Sequence, residues 1–278
     1  MKSIMAQIMR GGILTCALLG LVACSNSGIN SQEKPVIRVG AGVTPHAEIL
    51  EEIKGSLEKK GYELTIQVFE DFVLPNKALA EGELDANLYQ HEPYLINFNQ
   101  EQNTKLSIAG DVKFYFLPLG IYSDKMESLK ELSEGASVAI PNDLTNGGRA
   151  LLLLQEAGLI KLKNQSDITA TVSDIVENPQ KIKIIELEAA QVVRALKDVD
   201  FAVINANYIL DSELSVKEDA LLTESENSQA AERYASVLAI QEFPNNDKAI
   251  EALLEVLQSK ETRDFINKTY KGAVIPVF

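Results

Sequence analysis

The sequence predicts an α/β protein of two lobes, and three observations carry the prediction. From Val36 onward, short apolar runs alternate with longer runs of helical period, the pattern of layered and largely parallel sheets. There are too many such units for a single small sheet. Two apolar extended segments, residues 117–122 and 234–240, bracket the middle third and read as crossings between lobes. One lobe then holds residues 36–120 plus 236–278, and the other residues 121–235.

The elements follow in order. Residues 36–43 (VIRVGAGV) form a buried strand. Thr44-Pro45-His46 opens a helix with Ile49 or Leu50, Ile53 and Leu57 inward, and Gly61 ends it. Residues 63–69 alternate Leu64, Ile66 and Val68, as a strand with one buried face does. A short helix at 76–81, a strand at 84–88 and a helix at 93–99 come next. Residues 113–122 (KFYFLPLGIY) are one long apolar extended run, and 129–133 a helix. A strand at 136–140 leads through a polar turn into a helix that ends at Gly158. Residues 160–181 are polar and irregular. A strand at 182–186, an amphipathic helix at 189–197, a strand at 201–205 and a short helix near 208–211 continue the alternation. Residues 214–230 are acidic and loop-like; a strand at 234–240 and helices near 249–257 and 261–269 complete the chain.

The first residues read as an address. Lys2 and Arg10 precede an apolar stretch from Gly11 to Ala23, a secretory signal (residues 1–23) too short for a comfortable span. Its end, Leu21-Val22-Ala23-Cys24, resembles the lipobox of bacterial lipoproteins, which implies a lipidated Cys24 as the new N-terminus and an anchor in the cell membrane's outer face. Residues 24–35 are then a polar tether. Cys16 lies in the discarded part, so the mature chain has no internal disulfide to form. The full chain carries a formal charge of −14, and loss of Lys2 and Arg10 takes the mature form to about −16. No basic stripe appears, which argues against nucleic acid and against electrostatic binding to anionic lipid.

Ligands of open α/β sheets sit outside the carboxyl ends of strands, and the unusual residues cluster there. Pro141-Asn142-Asp143-Leu144-Thr145-Asn146-Gly147-Gly148-Arg149 joins a strand to a helix start, whose unpaired N–H groups suit an anion. Arg149, a cation near the positive end of a helix, makes sense as the grip on a bound carboxylate, and the paired glycines let backbone approach closely. Phe72 follows the second strand, Tyr89-Gln90-His91-Glu92-Pro93-Tyr94 the third, and Asn205-Ala206-Asn207-Tyr208 a later one. Taken singly, each aromatic reads as core, His91 as a structural histidine and each asparagine as a helix cap. Their joint placement points instead to a zwitterion with an apolar tail.

The segments Gly42-Val43-Thr44-Pro45-His46-Ala47-Glu48, Asp85-Ala86-Asn87-Leu88-Tyr89-Gln90-His91-Glu92-Pro93-Tyr94 and Pro141 to Leu151 resemble hallmarks of the methionine-binding lipoproteins of ABC importers. Ala202-Val203-Ile204-Asn205-Ala206-Asn207-Tyr208 and Gly272-Ala273-Val274 match as well, so the resemblance runs from lipobox to C-terminus. It implies a two-lobed periplasmic-binding-protein fold that closes on its ligand, and capture of L-methionine for delivery to an ABC permease. The family's aromatic wall falls on Phe72, Tyr89 and Tyr94, with His91 beside it. Its carboxylate-gripping arginine falls on Arg149 within a loop that includes Asn146, and a polar contact falls on Asn205. One position departs: where the family has asparagine in its returning segment, Tyr234-Ala235-Ser236 places a serine, which lacks the paired contacts of an amide. Ser236 therefore keeps open another small apolar amino acid or a methionine-containing dipeptide.

Readings of two other classes fit the residues less well. Gly40-Ala41-Gly42 looks like part of a dinucleotide loop, but Pro45 stands where the third glycine belongs. No nucleophile elbow or P-loop is present, and His91 with Asp85 and some serine has no spacing that demands a triad. His46 and His91 are the sole histidines, which excludes a histidine-rich metal site. No catalysis and no cofactor are expected. A purely structural envelope lipoprotein is the other alternative, and the convergence of unusual residues on strand ends argues against it.

Overall fold

The structure, a computed structural model, describes residues 34–110 and 112–278. The expected signal, Cys24 and all but the last two residues of the expected tether lie outside the described residues. The chain opens with β1 (Val36–Gly42), α1 (His46–Lys59), β2 (Glu63–Phe69), α2 (Leu74–Ala80), β3 (Ala86–His91), α3 (Glu92–Gln102) and β4 (Leu106–Ile108). Two short strands follow, β5 (Tyr115–Phe116) and β6 (Leu119–Tyr122). Next come β7 (Ser137–Pro141), α4 (Leu144–Glu156), β8 (Lys161–Leu162), β9 (Ile175–Glu177) and β10 (Lys183–Leu187). They are followed by α5 (Ala189–Ala195), β11 (Phe201–Asn205), α6 (Ala206–Leu210) and β12 (Ala220–Thr223). Finally α7 (Gln229–Arg233) leads to β13 (Ser236–Gln241), α8 (Asp247–Leu257), α9 (Lys260–Tyr270) and β14 (Ile275–Pro276). No helix among the described residues is long and apolar enough to cross a membrane.

Two five-stranded sheets result, ordered β2-β1-β3-β13-β4 and β10-β7-β11-β6-β12. Each has a parallel core, β1 with β2 and β3, and β7 with β10 and β11. The other two strands of each sheet join through antiparallel pairings. The inner parallel strands β1, β3, β7 and β11 are almost wholly buried, as strands covered on both faces are, while the edge strands β2 and β10 are largely exposed. One core forms where Ile49, Leu50, Ile53 and Leu57 of α1 meet β1 and the apolar faces of α8 and α9. Another gathers Val138, Ile140, Leu151, Leu154, Phe201 and Val203. Each such side chain contributes about 1.5–3 kcal/mol on burial.

The chain changes sheet at Leu117–Pro118, where β5, packed in the first core, gives way to β6. It returns between β12 and β13. The expected lobe limit at residue 120 misplaces the start of β6: Leu119 and Gly120 pair with Asn205 and Ile204 in the second sheet. Pro118, which has no N–H to donate, breaks the expected single run at 113–122 into two strands.

Other differences trace to pairing between distant segments. β3 does not stop at residue 88 but continues to His91, because β13 pairs alongside it as far as Ser236 opposite His91. The acidic stretch 214–230 holds β12, which pairs with β6, and the start of α7. Residues 160–181, expected to be irregular, contain the β8–β9 pairing. The expected helix at 129–133 is one 3-10 turn, Leu129–Glu131.

Candidate functional site

The site forms where the ends of β3, β7 and β11 meet. His91 ends β3 and caps α3: its Nδ1 accepts the Tyr94 backbone N–H at 3.2 Å. That bond leaves the ring proton on Nε2, which faces Asn146 Oδ1 at 3.4 Å across the two sheets. Burial, and secondarily the Arg149 charge, lowers the His91 pKa to about 3, so the ring is a neutral donor.

Asn146 stands in the first turn of α4. Its amide N–H group donates to both carboxylate oxygens of Asp143, at 3.1 and 3.0 Å, which fixes the amide's orientation. Its Oδ1 therefore faces the cleft and accepts from Asn205 Nδ2 at 2.9 Å. Asn205, at the end of β11, is left with a buried Oδ1 that has no partner among the described residues. Asp143 also accepts the Asn146 backbone N–H at 2.9 Å. The helix start that was expected to seat a ligand anion is thus capped by the chain's own carboxylate. Burial pushes the Asp143 carboxyl up, and these hydrogen bonds oppose the shift. The glycines likewise serve packing: a Cβ on Gly148 would lie 2.4 Å from the Ile168 carbonyl oxygen.

Arg149 follows one turn later and is almost fully buried. Its Nε and Nη2 grip Glu224 at 2.8 and 2.5 Å, and Nη2 also donates to the Leu117 carbonyl at 2.8 Å. Glu224 accepts the Leu119 N–H at 2.8 Å. One ion pair thereby ties both connections between the sheets, since Leu117 and Leu119 flank the outgoing chain and Glu224 begins the returning one. The guanidinium carbon sits 4.4 Å from the Tyr234 ring centre, within cation–π range. Nη1 makes no hydrogen bond among the described residues. The Tyr234 hydroxyl, also buried, is a second orphaned polar atom there.

An aromatic wall faces these groups. Tyr89 and Tyr94 both donate their hydroxyls to the Phe72 carbonyl, at 2.7 and 2.9 Å, which leaves their ring surfaces as lining. The Phe72 ring packs against Tyr89, Tyr94 and Tyr208 with centres 5.4–6.0 Å apart. Desolvation pushes both the Tyr89 and Tyr94 phenols up, so they stay protonated.

Between wall and polar groups lies a cavity with about 410 Å³ of atom-free space, part of it continuous with solvent. All eight residues read from the sequence (Phe72, Tyr89, His91, Tyr94, Asn146, Arg149, Asn205 and Ser236) line it, with Gln90, Leu117, Asn207 and Tyr234. Sequence reasoning missed Glu224. Its one signal was position: an acid directly after an apolar run, Ala220-Leu221-Leu222-Thr223, placed like the other strand-end residues.

A family model described as NlpA lipoprotein matches residues 37–278. The methionine-binding lipoprotein MetQ of Bacillus subtilis is 38% identical over 277 residues, covering 98% of this chain and 99% of the relative. Among solved structures, an ABC transporter periplasmic substrate-binding protein from Coxiella burnetii is 41% identical with a TM-score of 0.80, covering 87% of this chain and 100% of that one. A nutrient-binding protein from Burkholderia cenocepacia, bound to methionine, is 42% identical with a TM-score of 0.81 over the same shares. The two lobes are those of a periplasmic substrate-binding protein.

Proposed function

Because this chain belongs to the NlpA lipoprotein family, we propose that it captures methionine outside the membrane for an ABC importer, anchored by lipid on Cys24. Binding, not catalysis, is its task, in keeping with relatives named as binding proteins. The observation that carries the ligand reading is the Asn205 Oδ1 atom. A buried acceptor without a donor costs stability, and it lines the same cavity as the uncommitted end of Arg149. An amino acid supplies both complements: its ammonium donates to Asn205, and its carboxylate accepts from Arg149 Nη1 and the Tyr234 hydroxyl. Its apolar tail lies among Phe72, Tyr89 and Tyr94, where a thioether gains about 0.3–1.5 kcal/mol from sulfur–aromatic contact beyond burial.

Closure follows from geometry. Tyr89, His91 and Tyr94 lie on β3 and the helix α3 that follows it in the first sheet's lobe, and Asn146, Arg149 and Asn205 on α4 and β11 in the second's. Only the closed form lets a ligand touch both sets, so binding favours that form by the difference in affinity. Ser236 lines the cavity opposite His91 in the β13–β3 register, and it makes the choice of ligand a question for competition. Calorimetry with L-methionine on purified protein, freed of carried ligand by unfolding and refolding, should give one saturable site. D-methionine, leucine and Gly-Met serve as competitors. No heat and no rise in melting temperature with L-methionine would overturn the assignment.

A further inference from the structure

Arg149, the cation of the cavity's lining, has its counter-charge directly behind it. Glu224 occupies two of the three nitrogens of Arg149, and the two side chains are only 7% and 3% exposed. The remaining titratable lining groups are neutral: His91 is held unprotonated, and the phenols of Tyr89, Tyr94 and Tyr234 are held protonated by burial. The lining residues together with Glu224 therefore carry a formal charge of zero before any ligand arrives. Asp143 backs Asn146 on the side away from the cavity and adds no positive charge.

We propose that Glu224 determines specificity: by cancelling Arg149 from behind the cavity wall, it restricts the site to net-neutral zwitterions and turns away anions with the same tail and carboxylate. The inference rests on the amino-acid reading above and deepens it. A 2-oxo acid or an N-acylated amino acid brings one negative charge and no ammonium. Inside, two carboxylates would share one guanidinium, one negative charge would stay unpaired in a low dielectric, and Asn205 Oδ1 would remain without a donor. A zwitterion brings its own positive end, so the total stays zero. The grip also changes character. With Nε and Nη2 committed to Glu224, the ligand meets Nη1 alone, so a two-pronged fork cannot supply the discrimination. Charge balance supplies it.

The test compares L-methionine with 4-methylthio-2-oxobutanoate, its deaminated anion, by calorimetry on the wild type, Glu224→Gln and Glu224→Asp. The wild type should favour methionine by more than about tenfold. Glu224→Gln, with the cavity one charge more positive, should shift the ratio of affinities toward the anion by about tenfold or more. Glu224→Asp restores the charge and should keep the wild-type preference, which a merely structural role would not predict. An unchanged ratio in the glutamine variant, or an equal shift in both variants, would overturn the proposal. Should the glutamine variant fail to fold, Glu224→Ala takes its place with the same expected shift of the ratio, and in any case an oxo acid bound by the wild type within about threefold of methionine defeats the idea. A wild type that binds neither compound defeats the amino-acid reading instead.

Discussion

His91 and Asn146 meet across the cleft at 3.4 Å, one at the end of a strand in the first sheet, the other at the start of a helix following the second. The contact is directional, because His91 spends Nδ1 on capping α3 and presents only Nε2–H. It sets Asn146 as acceptor for both His91 and Asn205, so the polar side of the cavity is organised as one chain that ends in Asp143.

The pairing of Arg149 predicts two effects from one substitution. Arg149→Ala should abolish methionine binding and also cost about 3–5 kcal/mol of stability, because Glu224 is left charged and buried. The double variant Arg149→Ala/Glu224→Ala should recover much of that stability and none of the binding. Urea unfolding together with calorimetry separates the two. A single variant as stable as the wild type would contradict the buried pair.

Asn205 predicts the opposite balance. Asn205→Ala removes an orphaned acceptor along with one amide contact to Asn146, so unfolding should shift by no more than about 1 kcal/mol. Affinity should fall about tenfold to a hundredfold as the ammonium loses its partner. Calorimetry with unchanged affinity would remove Asn205 from the site.

Acid should weaken the fold through its two histidines. Burial lowers His46 and His91 each to about 3, from an ordinary 6.5. Between those values the unfolded chain binds more protons, so stability is full above about pH 6.5 and is lost as the pH falls toward 3. The loss approaches about 1.4 kcal/mol per pH unit for each histidine. Asp143, pushed up by burial, acts in the opposite sense, so a variant comparison isolates the imidazole's share. His91→Asn keeps an acceptor for the Tyr94 N–H and should roughly halve the histidine contribution to the slope. Equal slopes in urea midpoints measured from pH 7.5 to 4.5 would show that His91 is not held neutral.

Glycines at two positions should respond with opposite sign to the same change. Gly148→Ala places a Cβ against the Ile168 carbonyl and the Ala170 N–H, and should cost about 1–3 kcal/mol. Gly55 lies mid-helix in α1 with open space around it, so Gly55→Ala should stabilise by about 0.5–1 kcal/mol. Thermal melts distinguish them. A neutral Gly148→Ala would mean that the 168–170 segment yields.

What the sequence made legible was local. The strands at 63–69 and 201–205 match β2 and β11 at both ends, and the inward face of α1 is the expected one, because period and punctuation are written within a few residues. The extension of β3 to His91 was not legible, since it depends on β13, far along the chain. Nor was Glu224, whose acidic neighbourhood concealed a strand that exists only by pairing with β6. The aromatics and asparagines could be gathered at strand ends by topology alone, and they do line one cavity. Arg149 stood out by its own position, but its partner did not, and the partner changes how many nitrogens remain for the proposed cargo.

The lacing of Leu117, Leu119, Arg149 and Glu224 makes the axle of this jaw and its hook a single piece. If Arg149 holds the proposed cargo, a swing that disturbs the connecting chains reaches the guanidinium directly. On that reading, prising the halves open and letting go are one mechanical event, and an importer that grips both halves needs no separate trigger to unload them.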